Sequence, residues 1–524
     1  MRNAAVGAAM SLWVSLRTQA GRSLRRDLFP AGRAAVGIGL GLLCAASAGA
    51  APEQARSADS FADSIGVNAH WSYPDTPYGS QYEAVKKLLV GSGIRHVRGE
   101  LSRARDLASL GITTMPSVGP GHNEDGGPAT IGKIKSQIKA ANAGGLNAVD
   151  WVEGPNEPDL FWQKSDSGDK NGYGAVSYRG QGYAGGDQSI INGVVAFQKD
   201  LYAAFKADPA TASLKMIGPA LGKTYDYSTK SPYGPHALSR AVDYGNFHPY
   251  PGGNPFSDRA GYDTLDWYIG HGTQPSANMD EFPFAFDVYA PPFAPKPMAC
   301  SETGYSTFTN GQTEAVQAKY IPRLLCEYFA HGVVRTYLYE FVDEFDNQSD
   351  REANFGLVRH NLTPKPSYAA VKHLITLLAD QGAGLFSPQT LDYTLAVRPV
   401  LGYKEPGSGQ TANYDRTRYV HHLLLQKRNG DFFLVLWHEV SDEDGGVSPH
   451  RIVTPPALPV TLAVPLAVKA AAVYVPNDGM AGTPVPIKNG QITLSVPDKL
   501  VVVRLSSAAH APVRGQRAGA RLRP

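Results

Sequence analysis

VDWVEGPNEP at residues 149–158 joins a short hydrophobic strand to a turn with polar side chains. MACSETG at residues 298–304 has the same design, and its strand also ends at a carboxylate. Glycine and proline close such segments where a buried strand gives way to a loop. Similar segments recur between residues 60 and 380, with amphipathic segments between them. This alternation indicates a parallel sheet whose strands are joined by helices.

Eight strands are predicted in this part of the chain, and eight strand–helix units predict a closed (β/α)₈ barrel, or TIM barrel. An open doubly wound sheet is the competing architecture, but it usually has a glycine-rich turn after its first strand, where this chain has Ala69-His70-Trp71. The predicted strands are Ile65–Asn68, Ile94–Arg98, Ile112–Val118, Val149–Glu153, Leu214–Pro219, Val242–Phe247, Pro297–Ser301 and Val333–Glu340. Helices are predicted from apolar residues three and four positions apart at Tyr82–Val90, Ile131–Ala141, Ile190–Ala207, Glu314–Ala330 and Tyr368–Leu378.

The pattern changes after Gly382, where strand-like segments follow one another without helices. Turn pairs such as Asn429-Gly430 separate them, so we predict an all-β sandwich at 382–507 after a barrel at 51–381. Whether the sandwich binds carbohydrate or only packs against the barrel stays open. Its predicted strands are Tyr393–Val397, Arg418–Leu425, Phe432–Trp437, Val460–Val464, Ala472–Val475, Ile492–Val496 and Leu500–Leu505.

The first 50 residues predict an export signal. Basic residues including Arg25 and Arg26 precede an apolar run at 34–50 that ends in Ala48-Gly49-Ala50, typical of a cleavage site. A retained membrane anchor is the alternative, although the run is short for a hydrocarbon core, and the arginine pair raises a twin-arginine route. We therefore expect a mature chain that acts in the periplasm or outside the cell, without stable insertion in a membrane.

Net charge argues against nucleic acid as a partner. The whole chain has a formal charge of +2, but the leader and the tail at 511–524 hold ten of the basic residues. Residues 51–510 contain 39 basic and 46 acidic side chains, and a body of that sign repels a phosphate backbone. Residues 508–524 are predicted to be a disordered basic tail.

Glu157 and Glu302 stand at the ends of the fourth and seventh predicted strands. Reactive groups of a barrel lie at these ends, and the two strands face each other across the barrel. One carboxyl that stays protonated can then donate a proton to a leaving oxygen, while an ionised partner attacks. Salt-bridged glutamates at the rim are the commonplace alternative. The triplets Asn-Glu-Pro and Glu-Thr-Gly at the correct pair of strand ends favour the catalytic interpretation.

With these two motifs, the sequence resembles clan A of the glycoside hydrolases, the retaining (β/α)₈ enzymes. It is most similar to the family thirty-nine-like enzymes, which include secreted bacterial hydrolases of exopolysaccharides, and the resemblance covers about residues 60–506. It implies a secreted retaining hydrolase of β-glycosidic bonds in a polysaccharide or oligosaccharide. Glu157 would be the acid/base and Glu302 the nucleophile of a double displacement.

The resemblance also implies roles for residues around the nucleophile. Asn156 would hydrogen-bond the sugar 2-hydroxyl, and Arg98 would keep Glu302 ionised. His248 and Tyr250 match the polar pair near the nucleophile, although a buried histidine that bonds a backbone carbonyl is the alternative for His248.

The end of the eighth strand departs from the pattern of the clan. Many members have a sugar-stacking tryptophan there, whereas this chain has Tyr339 and Glu340. We expect Tyr339 to stack on a sugar or Glu340 to bond its hydroxyls. Trp71 and Trp162 are further stacking candidates, with core or rim packing as the alternative.

No cofactor is expected, because the sequence has no zinc-type His/Cys cluster and no phosphate-binding glycine-rich loop. Cys300 and Cys326 are expected to be packed free thiols, with Cys300 on the same side of its strand as Glu302. A non-catalytic carbohydrate-binding or scaffold protein of an exopolysaccharide system is the alternative function. Such a protein would keep an aromatic cleft without needing both acids.

Overall fold

The structure is a computed structural model that describes residues 52–120, 128–161, 176–182, 186–222, 231–251, 289–382, 384–404, 411–444 and 451–507. The predicted export signal, Trp162 and the predicted tail lie outside these ranges. Among the helices within them, none combines the length and the apolar character needed to span a bilayer.

All eight strands predicted before residue 382 are present, and most are shorter than predicted. Six form one curled parallel sheet, and two form a separate parallel pair. In order across the sheet, the six are Gly245–Phe247, Met298–Thr303, Thr336–Leu338, Ile65–Ala69, His96–Gly99 and Thr113–Met115, and the pair is Trp151–Glu153 with Lys215–Ile217.

Single parallel bridges join the pair to the two edges of the sheet. Ser117 bridges to Glu153 at one edge, and Ile217 bridges to Tyr244 at the other. Regular ladders therefore leave the six-stranded sheet open, and closure into the predicted barrel depends on these two bridges.

Helices follow the strands where the sequence predicted them. In Asp187–Lys206, the side chains of Val194, Phe197, Leu201 and Phe205 are all completely buried, as their spacing along one face requires. The described α-helices are Ala58–Asp63, Pro77–Ser80, Tyr82–Ser92, Ala104–Ala108, Pro128–Ala141, Pro158–Phe161, Asp187–Lys206, Glu314–Ala330 and Pro366–Leu378, with short 3₁₀ turns at Leu101–Arg103, Glu352–Asn354 and Thr417–Tyr419.

The interior of the parallel strands is apolar at one level and polar at the next. Met115, Trp151, Ile217, Ala299 and Tyr337 form a small buried cluster of their own. Side chains alternate along a strand, so the residues two positions further on enter the next layer toward the carboxyl ends. That layer holds the buried polar residues Glu153 and Ser301, and it supports the site described below.

Cys300 does not share a face with Glu302, and this part of the prediction is wrong. Both cysteines are free and buried, as expected. Cys300, however, belongs to the large cluster that contains the buried side of Glu314–Ala330, while its neighbour Ala299 belongs to the interior cluster. The register shifts between Cys300 and Thr303, and this irregularity breaks the alternation that the prediction assumed.

The second half of the chain forms most of two further sheets around a shared apolar cluster. Their strands pair antiparallel except Arg56–Ser57, which pairs parallel with Val420–Gln426. Leu434 and Val503 from one sheet and Leu462 and Ile492 from the other lie in this cluster, as in a sandwich. The larger sheet contains, in order, Arg56–Ser57, Val420–Gln426, Phe432–His438, Val501–Ser506, Ala470–Tyr474 and Thr483–Val485, and the smaller contains Thr394–Val397, Leu458–Ala463 and Gln491–Val496.

Four two-stranded pairs complete the described strands. Glu53–Gln54 and the adjacent Arg56–Ser57 lie within the predicted barrel segment, yet they pair with Thr390–Leu391 and Val420–Gln426 of the following segment. The other pairs are Val400–Lys404 with Thr411–Tyr414, Glu443–Asp444 with Arg451–Ile452, and Ser177–Tyr178 with Gln181–Gly182.

Helix Glu314–Ala330 packs against the sandwich through buried polar contacts. Arg323 donates to Asp442 Oδ2 over 2.9 Å and to the carbonyl of Val440 over 2.6 Å. Trp437 Nε1 donates to Glu327 Oε1 over 2.9 Å. The sandwich is therefore joined to the helix layer of the parallel sheet through charged groups that have buried partners.

Candidate active site

Glu157 lies immediately after the turn that follows Trp151–Glu153 and precedes helix Pro158–Phe161. Its backbone donates to the carbonyl of Ala220 over 3.1 Å, and the adjacent Asn156 forms a parallel bridge with the same residue. The φ angle of Glu157 is +38°, a backbone conformation that residues other than glycine rarely adopt. Backbone strain of this kind is commonly found at functional sites.

Glu302 lies near the carboxyl end of Met298–Thr303 and is buried. Arg98 Nη1 donates to its Oε1 over 2.6 Å, and the hydroxyl of Tyr250 donates to its Oε2 over 2.8 Å. Arg98 lies here because its strand is the third from that of Glu302 in the curled sheet, with Thr336–Leu338 and Ile65–Ala69 in between. Both oxygens of the carboxylate thus have a donor.

His248 brings the two glutamates together. Its Nδ1 lies 2.8 Å from Glu157 Oε1 and 3.7 Å from Glu302 Oε2. One carboxylate oxygen of Glu157 and one of Glu302 lie within 4.8 Å of each other. Nε2 of His248 lies 2.7 Å from Ser301 Oγ, so the imidazole ring bonds side chains rather than a backbone carbonyl.

The two carboxyls have pKa values shifted in opposite directions. Burial raises the pKa of Glu157, the hydrogen bond from His248 opposes the shift, and the negative charge of Glu302 adds to it. Burial alone would also raise the pKa of Glu302, but the charges of His248 and Arg98 and the bond from Tyr250 bring it below its ordinary value. The arrangement therefore favours a protonated Glu157 beside an ionised Glu302.

Arg98 also connects the site to the polar layer beneath it. Its Nε donates to Glu153 Oε2, its Nη1 to Asn68 Oδ1 over 2.9 Å, and its Nη2 to Asn156 Oδ1 over 2.7 Å. These bonds fix the guanidinium and orient Asn156 next to the two glutamates.

Glu153 is a supporting residue that the sequence analysis missed. It is completely buried and accepts from Ser301 Oγ over 2.7 Å and from Asn246 Nδ2 over 3.0 Å. Burial would raise the pKa of Glu153, but the charges and hydrogen bonds of Arg98 and His248 together outweigh it and lower the pKa to about 2. A glutamate inside a short buried strand was the available signal, since such a residue is rarely buried without a partner.

Tyr339 lies beside Tyr250, next to the two glutamates, whereas Glu340 points to a different set of residues. The ring of Tyr339 is 6.3 Å from Tyr250 and 5.5 Å from Phe355. Glu340 is buried on the other side, where its Oε2 accepts from Tyr78 over 3.0 Å. Of the two residues, only Tyr339 therefore lies beside Tyr250, whose hydroxyl bonds Glu302.

Trp71 is 4% exposed and packs edge-to-face with Tyr78 and Tyr82. A stacking role requires an accessible ring face, so this placement corresponds to the core-packing alternative.

Glu352 is a second acid near the site that the sequence analysis missed. Burial raises the pKa of Glu352 to about 7; Arg351 opposes this shift, and the charges of Glu302 and Glu157 add to it. It follows the eighth strand on a 3₁₀ turn, Glu352–Asn354, so no strand-end pattern could reveal it.

The donors of Glu157, His248 and Glu302 are close enough together to hold a metal ion, and so are those of two other His/Glu/Glu groups among the described residues. At the glutamate pair, the guanidinium of Arg98 already neutralises Glu302, which disfavours a second cation there.

No protein-family model and no curated protein matches the sequence. Solved structures do match it. A glucosidase from Croceicoccus marinus has a TM-score of 0.51 at 10% identity, over 88% of this chain and 98% of that chain. A family 51 α-L-arabinofuranosidase from Bifidobacterium longum has a TM-score of 0.50 at 11% identity, over 87% of this chain and 97% of that chain. The fold resembles that of the clan A glycoside hydrolases.

A family 39 glycoside hydrolase from Bacteroides cellulosilyticus has a TM-score of 0.47 at 14% identity, over 86% of this chain and 81% of that chain. The resemblance to family thirty-nine therefore stays a prediction.

Proposed function

We propose that the protein is an exported retaining β-glycosidase that cleaves a polysaccharide or oligosaccharide. The observation that carries the proposal is the pair of glutamates, Glu157 and Glu302, with oxygens within 4.8 Å and pKa values shifted in opposite directions. Retaining pairs are about 5–5.5 Å apart, whereas inverting pairs are about 6.5–9.5 Å apart to leave room for water. The short separation supports retention.

In the first step, a carboxylate oxygen of Glu302 attacks the anomeric carbon as the glycosidic bond breaks. Glu157 gives its proton to the leaving oxygen, and a glycosyl ester on Glu302 results. In the second step, Glu157 removes a proton from water, which attacks the anomeric carbon and releases Glu302. Each carboxyl returns to its starting protonation state.

The surrounding residues support both steps. Arg98 and Tyr250 hold Glu302 ionised and oriented before the attack. The charge of Glu302 and the bonds to Glu153 and Glu157 outweigh the burial of His248 and raise its pKa to about 10, so the imidazolium is charged at neutral pH. A fixed positive charge between the glutamates stabilises whichever of them is ionised at a given step.

The proposal extends to the rest of the chain. The eight parallel strands form a complete (β/α)₈ barrel that is closed by the bridges at Ser117 and Ile217. Asn156 hydrogen-bonds the sugar at the reacting subsite, and Tyr339 contacts the sugar ring. The first 50 residues direct export and are removed, and the sandwich follows the barrel as a second domain.

The proposal is tested with a panel of aryl β-glycosides and β-linked polysaccharides, with proton NMR of the first product formed. We expect hydrolysis in which the first anomer has the configuration of the substrate. An inverted first product would contradict the assignment of Glu302 as nucleophile. Binding to a polysaccharide without turnover of any substrate would favour the non-catalytic alternative.

A further inference from the structure

A second group of ionisable side chains lies at the same end of the sheet as the two glutamates. His70 follows the strand Ile65–Ala69, and Glu340 and Glu344 follow Thr336–Leu338, its neighbour in the sheet. His70 Nδ1 is 2.5 Å from Glu344 Oε1 and 3.7 Å from Glu340 Oε2. One donor atom from each of the three residues lies within 4.8 Å of the other two.

The two carboxylates of this group are buried with too little positive charge. The side chain of Glu340 is 0% exposed and that of Glu344 is 10% exposed. Within the part of the chain that the structure describes, His70 is the only basic side chain that forms an ion pair with either of them. With one imidazole for two carboxyls, the buried group balances its charge only if one carboxyl keeps its proton or a cation binds. A bound cation would let both carboxyls be ionised.

One oxygen of the group has no partner within the protein. Glu340 Oε1 is buried and has no hydrogen-bond partner among the described residues, while Oε2 of the same carboxyl accepts from Tyr78 and faces His70. Buried polar atoms almost always have a partner, so this oxygen is available to a bound ion or water.

We propose that His70, Glu340 and Glu344 bind a divalent metal ion of the zinc or manganese class. One imidazole nitrogen with two carboxylates suits these ions, whereas calcium and magnesium prefer sets of oxygen ligands. Tetrahedral donors about 2.1 Å from a zinc ion lie about 3.4 Å apart. His70 Nδ1 and Glu340 Oε2, at 3.7 Å, are near this spacing, whereas the 2.5 Å contact between His70 and Glu344 has to open when the ion binds. Three protein ligands also leave a position open for water or another ligand.

The ion would hold the end of the eighth strand in place. The ring of Tyr339 is 5.6 Å from that of His70 and 6.3 Å from that of Tyr250, which bonds Glu302. Two aromatic rings, those of Tyr339 and Tyr250, thus lie between the metal site and the candidate nucleophile. This link to catalysis rests on the proposed function, although the binding of the ion does not.

The test uses the purified mature chain after treatment with a chelator. Zinc and manganese are titrated by calorimetry, and bound metal is counted by elemental analysis, in the wild type and in His70→Gln and Glu344→Gln. The control is His421→Gln, which removes a histidine from another His/Glu/Glu group, with Glu327 and Glu439. We expect one ion per wild-type chain and unchanged binding in the control. The two site variants should bind the ion at least about tenfold more weakly, since even the loss of a residue that only hydrogen-bonds a metal ligand weakens binding about 10- to 100-fold.

Thermal unfolding separates loss of the site from loss of the fold. Added metal should raise the Tm of the wild type and of His421→Gln. It should not change the Tm of His70→Gln, provided that this variant is folded without metal. Three outcomes would overturn the assignment. The wild type does not bind the ion, both site variants bind it as tightly as the wild type, or only the control loses binding.

Kinetics distinguish this inference from the proposed function. If the chain is a glycosidase, removal of the ion should raise KM with little change in kcat, and added metal should reverse the change. A chain that binds the ion but hydrolyses nothing would contradict the proposed function only. A chain that hydrolyses normally but binds no ion would contradict the metal site only.

Discussion

Arg98 donates through Nη1 to Oε1 of Glu302 over 2.6 Å, and each of the two residues is only 8% exposed. The same guanidinium also donates to the buried Glu153. Two buried carboxylates therefore share one guanidinium, and His248 approaches both of them as well. Removal of Arg98 would take the closest cation from both charges.

Arg98→Met should reduce the free energy of unfolding by about 3–5 kcal/mol, because removal of one partner from a buried ion pair leaves the other as an uncompensated buried charge. Urea unfolding followed by circular dichroism measures the change. The control is Arg359→Met, which breaks the more exposed pair between Arg359 and Glu314 and should cost about 0–1 kcal/mol. Equal stability losses in the two variants would contradict the central role of Arg98.

Glu302→Gln should abolish hydrolysis of all substrates, since an amide cannot form the glycosyl ester. Glu157→Gln should lower kcat about 10²- to 10⁴-fold for natural substrates, whose leaving groups need a proton, and much less for aryl glycosides with acidic leaving groups. Steady-state kinetics on both substrate types provide the measurement. Glu314→Gln, on a partly exposed side chain away from the pair, serves as the control. Similar losses on both substrate types in Glu157→Gln would argue against its acid role.

The pH profile of kcat/KM should be bell-shaped. Glu302 must be ionised, so activity falls as the pH drops through its lowered pKa. Glu157 must be protonated, so activity falls as the pH rises through its raised pKa. With an activated aryl glycoside, Glu157→Gln should lose the basic limb and keep the acidic one. A basic limb that persists in this variant would assign it to another group.

Tyr250→Phe removes the hydroxyl that donates to Glu302 Oε2 over 2.8 Å. A donor to a carboxylate stabilises the ionised form, so its loss should raise the pKa of Glu302 and move the acidic limb to higher pH. Hydrogen bonds to charged groups contribute about 1.5–3 kcal/mol, which corresponds to a loss of about 10- to 100-fold in kcat/KM. Tyr368→Phe is the control, because its hydroxyl donates to the carbonyl of Leu88, in the helix Tyr82–Ser92. An acidic limb that does not move would contradict the role of Tyr250.

The elements that depend on local sequence were the easiest to predict. Helix Glu314–Ala330 has the predicted bounds, because its apolar spacing and the cap by Thr313 are properties of neighbouring residues. The eight parallel strands were found for the same reason, and Glu157 and Glu302 were singled out because they lie at the ends of two of them. Arg98 was singled out only through the resemblance to clan A. Most strand lengths were overestimated, since the pairing that defines a strand depends on neighbours far away in the chain.

Other features of the site depend on residues far apart in the chain. Glu153 has a function only because Arg98 and Ser301 meet it, and the group of His70, Glu340 and Glu344 joins positions with no common motif. Cys300 was placed on the wrong face because the register irregularity after it arises from pairing with Thr336–Leu338.

The amino-acid sequence by itself determined the succession of strands and helices, the change to an all-β segment and the two carboxylates at strand ends. These are consequences of backbone geometry and of side-chain spacing within a few residues. Only the tertiary structure decided which buried charged groups face each other, which of them find a partner, and which carboxyls hold their proton more tightly. Those outcomes depend on distances of a few ångströms between side chains from different strands, and burial removes the water that would otherwise screen their charges.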